Sequence, residues 1–336
     1  MKRSISRKNV NSAWIIPSAL KTGLLAVTLL VAAPAAEVRA QDTNAPAQPG
    51  AAAAKPDKGP PLPLHEIEGN GGVFATLSAY LVNPPCNGEW LGRPSVGFAF
   101  VDLGHERNLE AFTITETPWK RLELGYAFDR LDIGDLPQAI EQATSIRIRD
   151  DEVHLHNVNA RLQLLAENEY GQPWLPAVTV GAHYKYNETV NRINDDLSGA
   201  LRANGIRDNQ GVDFTLYGSK LLTFLPRPVL VELGGRATKA SHLGLLGFTD
   251  DYNFLFEGNV VLFVTDSILL AGEYRQKPND FKPIPGLIRP EDDWWTIDAA
   301  YVVNKHLTLA AGYGHFGGVL NHQADGVWGL TLKYEF

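Results

Sequence analysis

Charged residues recur at alternate positions along several segments of this 336-residue chain, and such residues are well suited to bind or select a solute. Alternate residues of a β-strand lie on one face of a sheet, so each segment would carry its charges on one face. Both signs occur in most segments. They either line a narrow polar path or pair with one another and fill the interior. The charged set comprises Arg121, Glu123, Asp129, Arg161, Lys185, Asp213, Glu232, Arg236, Glu257, Glu273, Arg275, Asp298, Lys333 and Glu335.

An apolar connecting segment follows Lys239 and is a second candidate for solute binding. An apolar connection exposed to water is unfavourable unless it folds into a cavity or meets a ligand or lipid. We therefore predict that this segment, called the mouth loop below, either captures an apolar solute or packs against its neighbours. Its candidate binding residues are His242, Leu243, Leu245, Leu246 and Phe248.

Catalytic and metal-binding patterns are weak in this sequence. His154 and His156 share one strand face, but nothing nearby in sequence completes a metal site. Ser241 and His242 are adjacent, which points their side chains to opposite faces of a strand and disfavours a nucleophile–base pair. We find neither a GxSxG nor a P-loop motif. We therefore predict no catalytic residues, no metal and no cofactor, and keep a hydrolase only as the least favoured alternative.

The elements that position these residues are predicted to be strands. Composition excludes other classes: the net charge of −8 argues against nucleic-acid binding, and the mean hydropathy of −0.14 argues against a helical membrane protein. Twelve segments alternate apolar and polar residues over about ten to fourteen positions, long enough for a tilted strand to cross a bilayer. They are 95–104, 107–117, 119–132, 152–166, 175–187, 212–225, 228–240, 252–264, 267–277, 293–303, 306–316 and 326–336.

The last segment, DGVWGLTLKYEF, carries the clearest signal for membrane location. A strand with one apolar face that ends in an aromatic residue is typical of the final strand of an outer-membrane β-barrel. We expect it to contact outer-membrane lipid and the barrel-assembly machinery through Trp328, Leu330, Leu332, Tyr334 and Phe336. Tryptophans near strand ends fit aromatic girdles at the two membrane interfaces. They are Trp90, Trp119 and Trp174 at one interface, and Trp294, Trp295 and Trp328 at the other.

Connections between the predicted strands alternate in length. Counting backward from Phe336, residues 317–325, 278–292, 241–251, 188–211 and 133–151 are long, and the connections between them are shorter. Because outer-membrane barrels have short periplasmic turns, the C-terminus is predicted to be periplasmic and the mouth loop external. Residues 71–82 resemble an extra strand. An even strand number then requires either twelve strands with this segment inside the lumen, or fourteen with residues 62–68 as its partner.

The remaining residues are assigned to export and linkage. Basic residues, a short apolar core and Val38-Arg39-Ala40 predict a signal peptide over residues 1–40. Residues 41–64, rich in Ala and Pro, predict a disordered linker. Residues 65–94 are a plug or an extra strand, and residues 95–336 the barrel. Cys86 is the single cysteine and cannot form an intrachain disulfide.

Several phrases resemble a proteobacterial family of unknown function whose members are predicted outer-membrane proteins. The phrases are EGNGG at 68–72, RLELGYAFDRLDIG at 121–134, RATKASHLGLLGF at 236–248, GEYRQKPND at 272–280, EDDWW at 291–295 and NKHLTLAAGY at 304–313. The resemblance spans residues 65–336 and implies an antiparallel transmembrane β-barrel, without supplying any catalytic residue. A weaker likeness in layout is to outer-membrane channels for hydrophobic or aromatic compounds.

The function predicted from the sequence is passive or facilitated uptake of a small solute, apolar or aromatic, through a barrel in the outer membrane. The alternative is a closed structural or ligand-binding barrel with functional external loops. These two differ in whether the lumen is open, and the position of residues 65–82 bears directly on that.

Overall fold

The structure is a computed structural model, and it describes residues 61–86, 88–280 and 291–336. The predicted signal peptide and all but the last residues of the predicted linker lie outside the described residues. Within them, no helix is both long and apolar enough to cross a membrane.

The described residues contain fourteen strands, of which the last twelve close into an antiparallel barrel. The two short strands are β1 (Leu64–His65) and β2 (Gly71–Gly72); the barrel strands are β3 (Ser95–Gly104), β4 (Arg107–Glu116), β5 (Leu122–Asp132), β6 (Glu152–Leu165), β7 (Ala177–Asn187), β8 (Gln210–Leu222), β9 (Val229–Ala240), β10 (Phe248–Phe263), β11 (Ile268–Arg275), β12 (Trp294–Val302), β13 (Leu307–Val319) and β14 (His322–Glu335). Barrel strands pair with their sequence neighbours, and β14 closes the barrel on β3 with Glu335 opposite Ser95. The prediction of a twelve-stranded barrel is confirmed, and the alternative of fourteen strands is wrong.

Side-chain alternation orients each strand across the barrel wall. In β7, His183 and Lys185 point inward and are buried, whereas Tyr184 and Tyr186 point outward and are exposed. The same two-residue period places exposed Leu, Ile, Val and aromatic side chains around the outside. In β14, Trp328 and Leu330 are exposed, while Lys333 and Glu335 are buried; Phe336, which follows the strand, is exposed as well.

Long connections gather at one end of the barrel, with one difference from the predicted lengths. Helices Leu136–Thr144, Val190–Asp196 and Ala200–Ala203 lie in the connections between β5 and β6 and between β7 and β8. The predicted long connection 317–325 is instead a two-residue turn, because β13 and β14 extend toward it. The connection between β3 and β4 at this end is also only two residues. By the general rule for outer-membrane barrels, the long-loop end is external and the opposite end periplasmic.

Residues 61–83 form a plug inside the barrel. β1 pairs with β2 in a short antiparallel ribbon, and every residue from Leu64 to Ala79 is buried. The turn between the two strands is made by Glu66 to Asn70, where Gly69 adopts a φ of +84°. This segment resembles a strand in sequence but adds no strand to the barrel wall.

The plug approaches the wall most closely where Gly69 faces Gly125 of β5. A Cβ on Gly125 would lie 2.3 Å from the Gly69 carbonyl oxygen. Gly125→Ala is therefore expected to destabilise the protein by about 1–3 kcal/mol through overpacking. The urea midpoint of the detergent-solubilised protein, followed by tryptophan fluorescence, measures this change.

Gly218→Ala is the matched control, since its added methyl group would have 3.8 Å to the nearest atom. Equal midpoints for the Gly125→Ala variant and the unaltered protein would contradict the described packing of plug against wall.

Candidate functional site

One carboxylate of the plug, that of Glu68, meets three cations of the barrel. It forms an ion pair with Lys185 on β7, and its Oε2 lies 2.9 Å from Arg236 Nη2 on β9 and 3.1 Å from Arg275 Nη1 on β11. All four side chains are buried. Glu68 thus joins three strands across the lumen.

Two wall carboxylates complete what we call the Glu68 cluster. Asp213 lies 2.9 Å from Lys185 and 3.0 Å from Arg236, and Glu257 lies 2.7 Å from Arg236 and 3.2 Å from Arg275. The cluster therefore contains three cations and three carboxylates. Burying ions is costly unless charge and hydrogen bonds are matched, and the plug supplies the third carboxylate.

A second pair, Arg161 and Glu123, holds the backbone of the plug. Arg161 Nε lies 2.9 Å from Glu123, and its terminal nitrogens also donate to the carbonyls of Gly71, Ser78 and Tyr80 at 2.6–3.0 Å. Its five N–H groups can be satisfied by these acceptors. Glu123 in turn accepts from the backbone N–H groups of Gly71 and Val82.

Glu273 on β11 binds the next part of the plug. It accepts from the successive backbone N–H groups of Phe74, Ala75 and Thr76, at 2.8–3.1 Å. Converging backbone N–H groups form an anion-binding nest, which places a carboxylate there without a cation.

The remaining members of the charged set lie as follows. Asp129 accepts from Asn157 at 2.7 Å, and Lys333 lies 2.6 Å from Glu335 and 2.5 Å from the Pro63 carbonyl. Glu232 and Asp298 are buried in the wall of a cavity described below. The whole charged set is buried in the lumen with one exception.

Arg121 is that exception, and its predicted luminal position is wrong. β5 begins one residue later, at Leu122, so Arg121 belongs to the turn at the periplasmic end. Its side chain is 44% exposed and pairs with Glu169 at 2.5 Å.

The mouth loop folds into the external end of the barrel. His242, Leu243, Leu245 and Phe248 are buried, and Leu246 is half-buried. Asn187 donates to the carbonyls of Gly244 and Leu245, and Lys185 donates to the Leu243 carbonyl at 2.9 Å. Because Lys185 also binds Glu68, one ammonium group links the mouth loop to the plug.

A buried triad lies beside the mouth loop. His242 Nε2 lies 2.6 Å and Lys277 Nζ 2.5 Å from Glu291. Burial lowers the pKa of Lys277 to about 8, against the opposing charge of Glu291. Burial and Lys277 lower the pKa of His242, while His242 and Lys277 hold the pKa of Glu291 below its usual range despite burial.

Trp294 packs on this triad, so its predicted place in the external girdle is wrong. Its ring lies 5.6 Å from Lys277 Nζ, and its side chain is buried. Trp295, one residue on, is 43% exposed and faces outward.

Two apolar cavities lie in the barrel, an outer one among the external loops and an inner one against the plug. The outer pocket, about 390 Å³, is formed by the external helices and by Leu245 and Leu246 of the mouth loop. The inner cavity, about 280 Å³, lies between the plug and the periplasmic half of strands β8 to β13. A void of about 30 Å³ lies between the mouth loop and Ile67 of the plug.

Glu68, Lys277 and Glu291 are site residues that the sequence did not single out. For Glu68 a signal existed: if residues 65–82 lie in a lumen, their ionisable side chains must meet opposite charges there. Lys277 and Glu291 are distant in sequence and lie in loops, where no periodic pattern points to them.

The closed antiparallel barrel, its outward apolar surface and its polar interior define the class: a bacterial outer-membrane β-barrel protein. The chain belongs to the family described as "Protein of unknown function (DUF3034)", whose model matches residues 65–333. The expected family of outer-membrane barrels of unknown function agrees with this assignment. No protein with a curated function matches the chain.

Solved structures with the same general architecture are distant. The Acinetobacter baumannii outer membrane protein Omp33 is 13% identical, with a TM-score of 0.40 over 74% of this chain and 99% of its own. The KdgM porin in complex with disordered oligogalacturonate is 10% identical, with a TM-score of 0.43 over 72% and 99%. The Salmonella typhi outer membrane phospholipase dimer is 11% identical, with a TM-score of 0.36 over 74% and 94%. At such values these structures carry no functional inference.

Glu68→Gln is expected to loosen the plug, because it leaves a buried cluster with one uncompensated positive charge. Breaking a buried ion pair costs about 3–5 kcal/mol, so hydrogen exchange of residues 64–79 should accelerate roughly a hundredfold or more. Mass spectrometry of the exchanging protein in detergent measures this. Glu169→Gln, which removes the half-exposed pair with Arg121, should leave exchange of the plug unchanged. Similar protection in both variants would show that Glu68 does not hold the plug.

The triad predicts how Lys277 titrates. Its ammonium should lose its proton near pH 8 in the folded protein. Because the negative charge of Glu291 favours the ammonium form, Glu291→Gln should move the midpoint below 8. The Nζ chemical shift against pH, assigned by its loss in Lys277→Arg, measures both. Asp196→Asn, which removes another external-loop carboxylate, should not move the midpoint. A midpoint unaffected by Glu291→Gln would contradict the triad.

Proposed function

We propose that this barrel is a gated outer-membrane channel for a small apolar solute, in a closed state in which the plug and the mouth loop occupy the lumen. The observation that carries the proposal is the pair of apolar cavities, one among the external loops and one between the plug and the periplasmic half of the barrel. A solute from outside would first enter the outer pocket, whose inner limit is the mouth loop.

The character of the outer pocket supports an apolar solute. Its wall contains residues such as Leu136, Ile140, Ile193 and Leu246, and the few polar groups include Glu291, which is already paired. Concave sites of this size with mostly apolar walls are the usual binding places of small molecules. The Glu68 cluster, with three cations and three carboxylates, gives no preference for an ionic solute of either sign.

The contacts of the mouth loop support gating. Leu243, Gly244 and Leu245 are held by hydrogen bonds from Lys185 and Asn187, so displacement of this loop by a solute would disturb the ammonium that binds Glu68. A ligand shifts a conformational equilibrium only by its difference in affinity for the two states. An apolar solute that occupies the space of Leu245 and Leu246 would have such a difference.

The second candidate is a closed barrel that binds ligands without passing them. The density of plug contacts favours it, since Glu68, Arg161, Glu123 and Glu273 together bond the plug to several strands. This candidate requires that no solute crosses the barrel, even when the plug is loosened.

Uptake of 1-N-phenylnaphthylamine by Gram-negative cells that produce the protein separates the two candidates. The probe fluoresces on reaching an apolar environment beyond the outer membrane. We expect faster uptake than in cells without the protein, faster still with Glu68→Gln, and slower with Leu246→Asp, which places a carboxylate in the outer pocket. Leu225→Asp in a periplasmic turn is the matched control and should not alter uptake.

Uptake equal to that of cells without the protein, in the unaltered protein and in Glu68→Gln alike, would reject the channel and favour the closed barrel. Heat-modifiable gel migration verifies that each variant has folded.

A further inference from the structure

Two acidic side chains of neighbouring strands meet beside the plug. Glu273 on β11 is opposite Thr296 on β12 in the strand register, and Asp298 follows two residues further along β12 on the same face. Diagonal neighbours of this kind lie within reach of each other when their side chains are long. Both carboxyl groups are buried in the lumen and hydrogen-bond each other. The Thr296 hydroxyl oxygen lies 2.9 Å from Glu273 and 2.7 Å from Asp298.

A hydrogen bond between two carboxyl groups requires that one of them carry a proton, because two carboxylates have no hydrogen to donate. Asp298 is the better place for it. Glu273 accepts from the backbone N–H groups of residues 74–76, which stabilise its negative charge. Among the described residues, Asp298 has only the Thr296 hydroxyl as a donor and no cation. The Glu273–Asp298 pair therefore carries one proton and one negative charge.

The groups around the Glu273–Asp298 pair do not neutralise it. Opposite the pair in the strand register are Asn259 on β10 and Gly312 on β13, neither of which carries a charge. Arg275, two residues further along β11, is engaged by carboxylates of the Glu68 cluster. Glu232 on β9, opposite Asn259, adds a further acidic group, and residues 73–78 of the plug contain no ionisable side chain. The charge of the pair thus depends on its own proton.

From this geometry we propose that the Glu273–Asp298 pair is a proton-controlled latch, which holds residues 74–76 of the plug while it carries its proton and releases them when the proton leaves. After the proton passes to water, two negative charges share one buried site. Their repulsion is relieved only if a carboxylate moves out or water enters. Either change weakens the bonds from Glu273 to the plug, so this attachment should weaken as the pH rises.

The latch deepens the proposed function and rests on it for its role, since it names a condition that would favour opening of the closed channel. It is separate from the Glu68 cluster in its chemistry. The cluster holds the plug by matched charges, whereas the latch holds it through a carboxylate whose neighbour is kept neutral by a proton.

Infrared spectroscopy of the detergent-solubilised full chain at pH 7 tests for the proton. The spectrum of the unaltered protein minus that of Asp298→Asn should contain the C=O stretching band of a protonated carboxyl group. Asp213→Asn is the matched control, because Asp213 is a buried luminal carboxylate that lies between Lys185 and Arg236. Its difference spectrum should contain a carboxylate band instead. Absence of the protonated-carboxyl band from the Asp298→Asn difference would overturn the proposal.

Hydrogen exchange followed by mass spectrometry tests the release. Between pH 7 and pH 10, after correction for the intrinsic exchange rates, protection of residues 74–76 should fall by about tenfold in the unaltered protein, which corresponds to the loss of roughly one hydrogen bond to a charged group. Asp298→Asn should keep its protection across this range, because its amide donates to Glu273 at every pH. Equal losses in both proteins, or no loss in the unaltered protein, would reject the latch.

If Asp298→Asn fails to fold, the unaltered protein still decides the question. Its protonated-carboxyl band should fade over the same pH range in which residues 74–76 lose protection, and a band that fades without any loss of protection would contradict the latch. The outcomes also remain distinct from those for transport. Uptake of the naphthylamine with pH-independent protection would leave the channel standing and reject the latch. A pH-dependent release without uptake would establish the latch and reject the channel.

Discussion

Charge matching among buried side chains of the lumen is the constraint on which the rest of this structure depends. The strands β7, β9 and β11 direct Lys185, Arg236 and Arg275 inward, but the wall provides only Asp213 and Glu257 against them. An uncompensated buried charge is strongly destabilising, so the third carboxylate must come from elsewhere. Glu68 supplies it, and this requirement fixes where the turn of the plug lies.

The same constraint couples the plug to the mouth loop. An ammonium has three hydrogens, and those of Lys185 are directed at Glu68, Asp213 and the Leu243 carbonyl. If the mouth loop moves away, one hydrogen of the buried ammonium loses its acceptor. A water molecule from the external side can accept that hydrogen in place of the Leu243 carbonyl. A displacement at the mouth therefore admits water to the charge cluster that holds the plug.

Much of this architecture follows from period-2 alternation, because a strand that separates lipid from a polar lumen has no other stable pattern. Alternation predicted the twelve strands and the inward side of Lys185, Glu257 and Lys333. Alternation also requires Trp294 and its neighbour Trp295 to face opposite sides of the barrel wall. The prediction that both belong to the aromatic girdle did not apply this rule. Arg121 shows the limit of the pattern: because β5 begins only at Leu122, the Arg121 side chain is outside the alternation and pairs with Glu169 at a turn.

The cavities could not be predicted, because they are defined by where the plug and the loops leave space rather than by any local pattern. Glu232, for example, accepts from Ser78 of the plug and from Ser219 of β8, two residues that no local pattern relates to it.

How the plug is bonded bears on whether it can move. A thirteenth strand would join the wall through backbone ladders, and removing it would open the barrel edge. The plug is instead bonded through barrel side chains: Glu123, Arg161 and Glu273 bind its backbone groups. Each such hydrogen bond joins a charged side chain to a backbone group and contributes a net of about 1.5–3 kcal/mol once water can replace it. The plug is therefore stable while these bonds are shielded from water, and it can be released one bond at a time when water reaches them, with the wall of the barrel left intact.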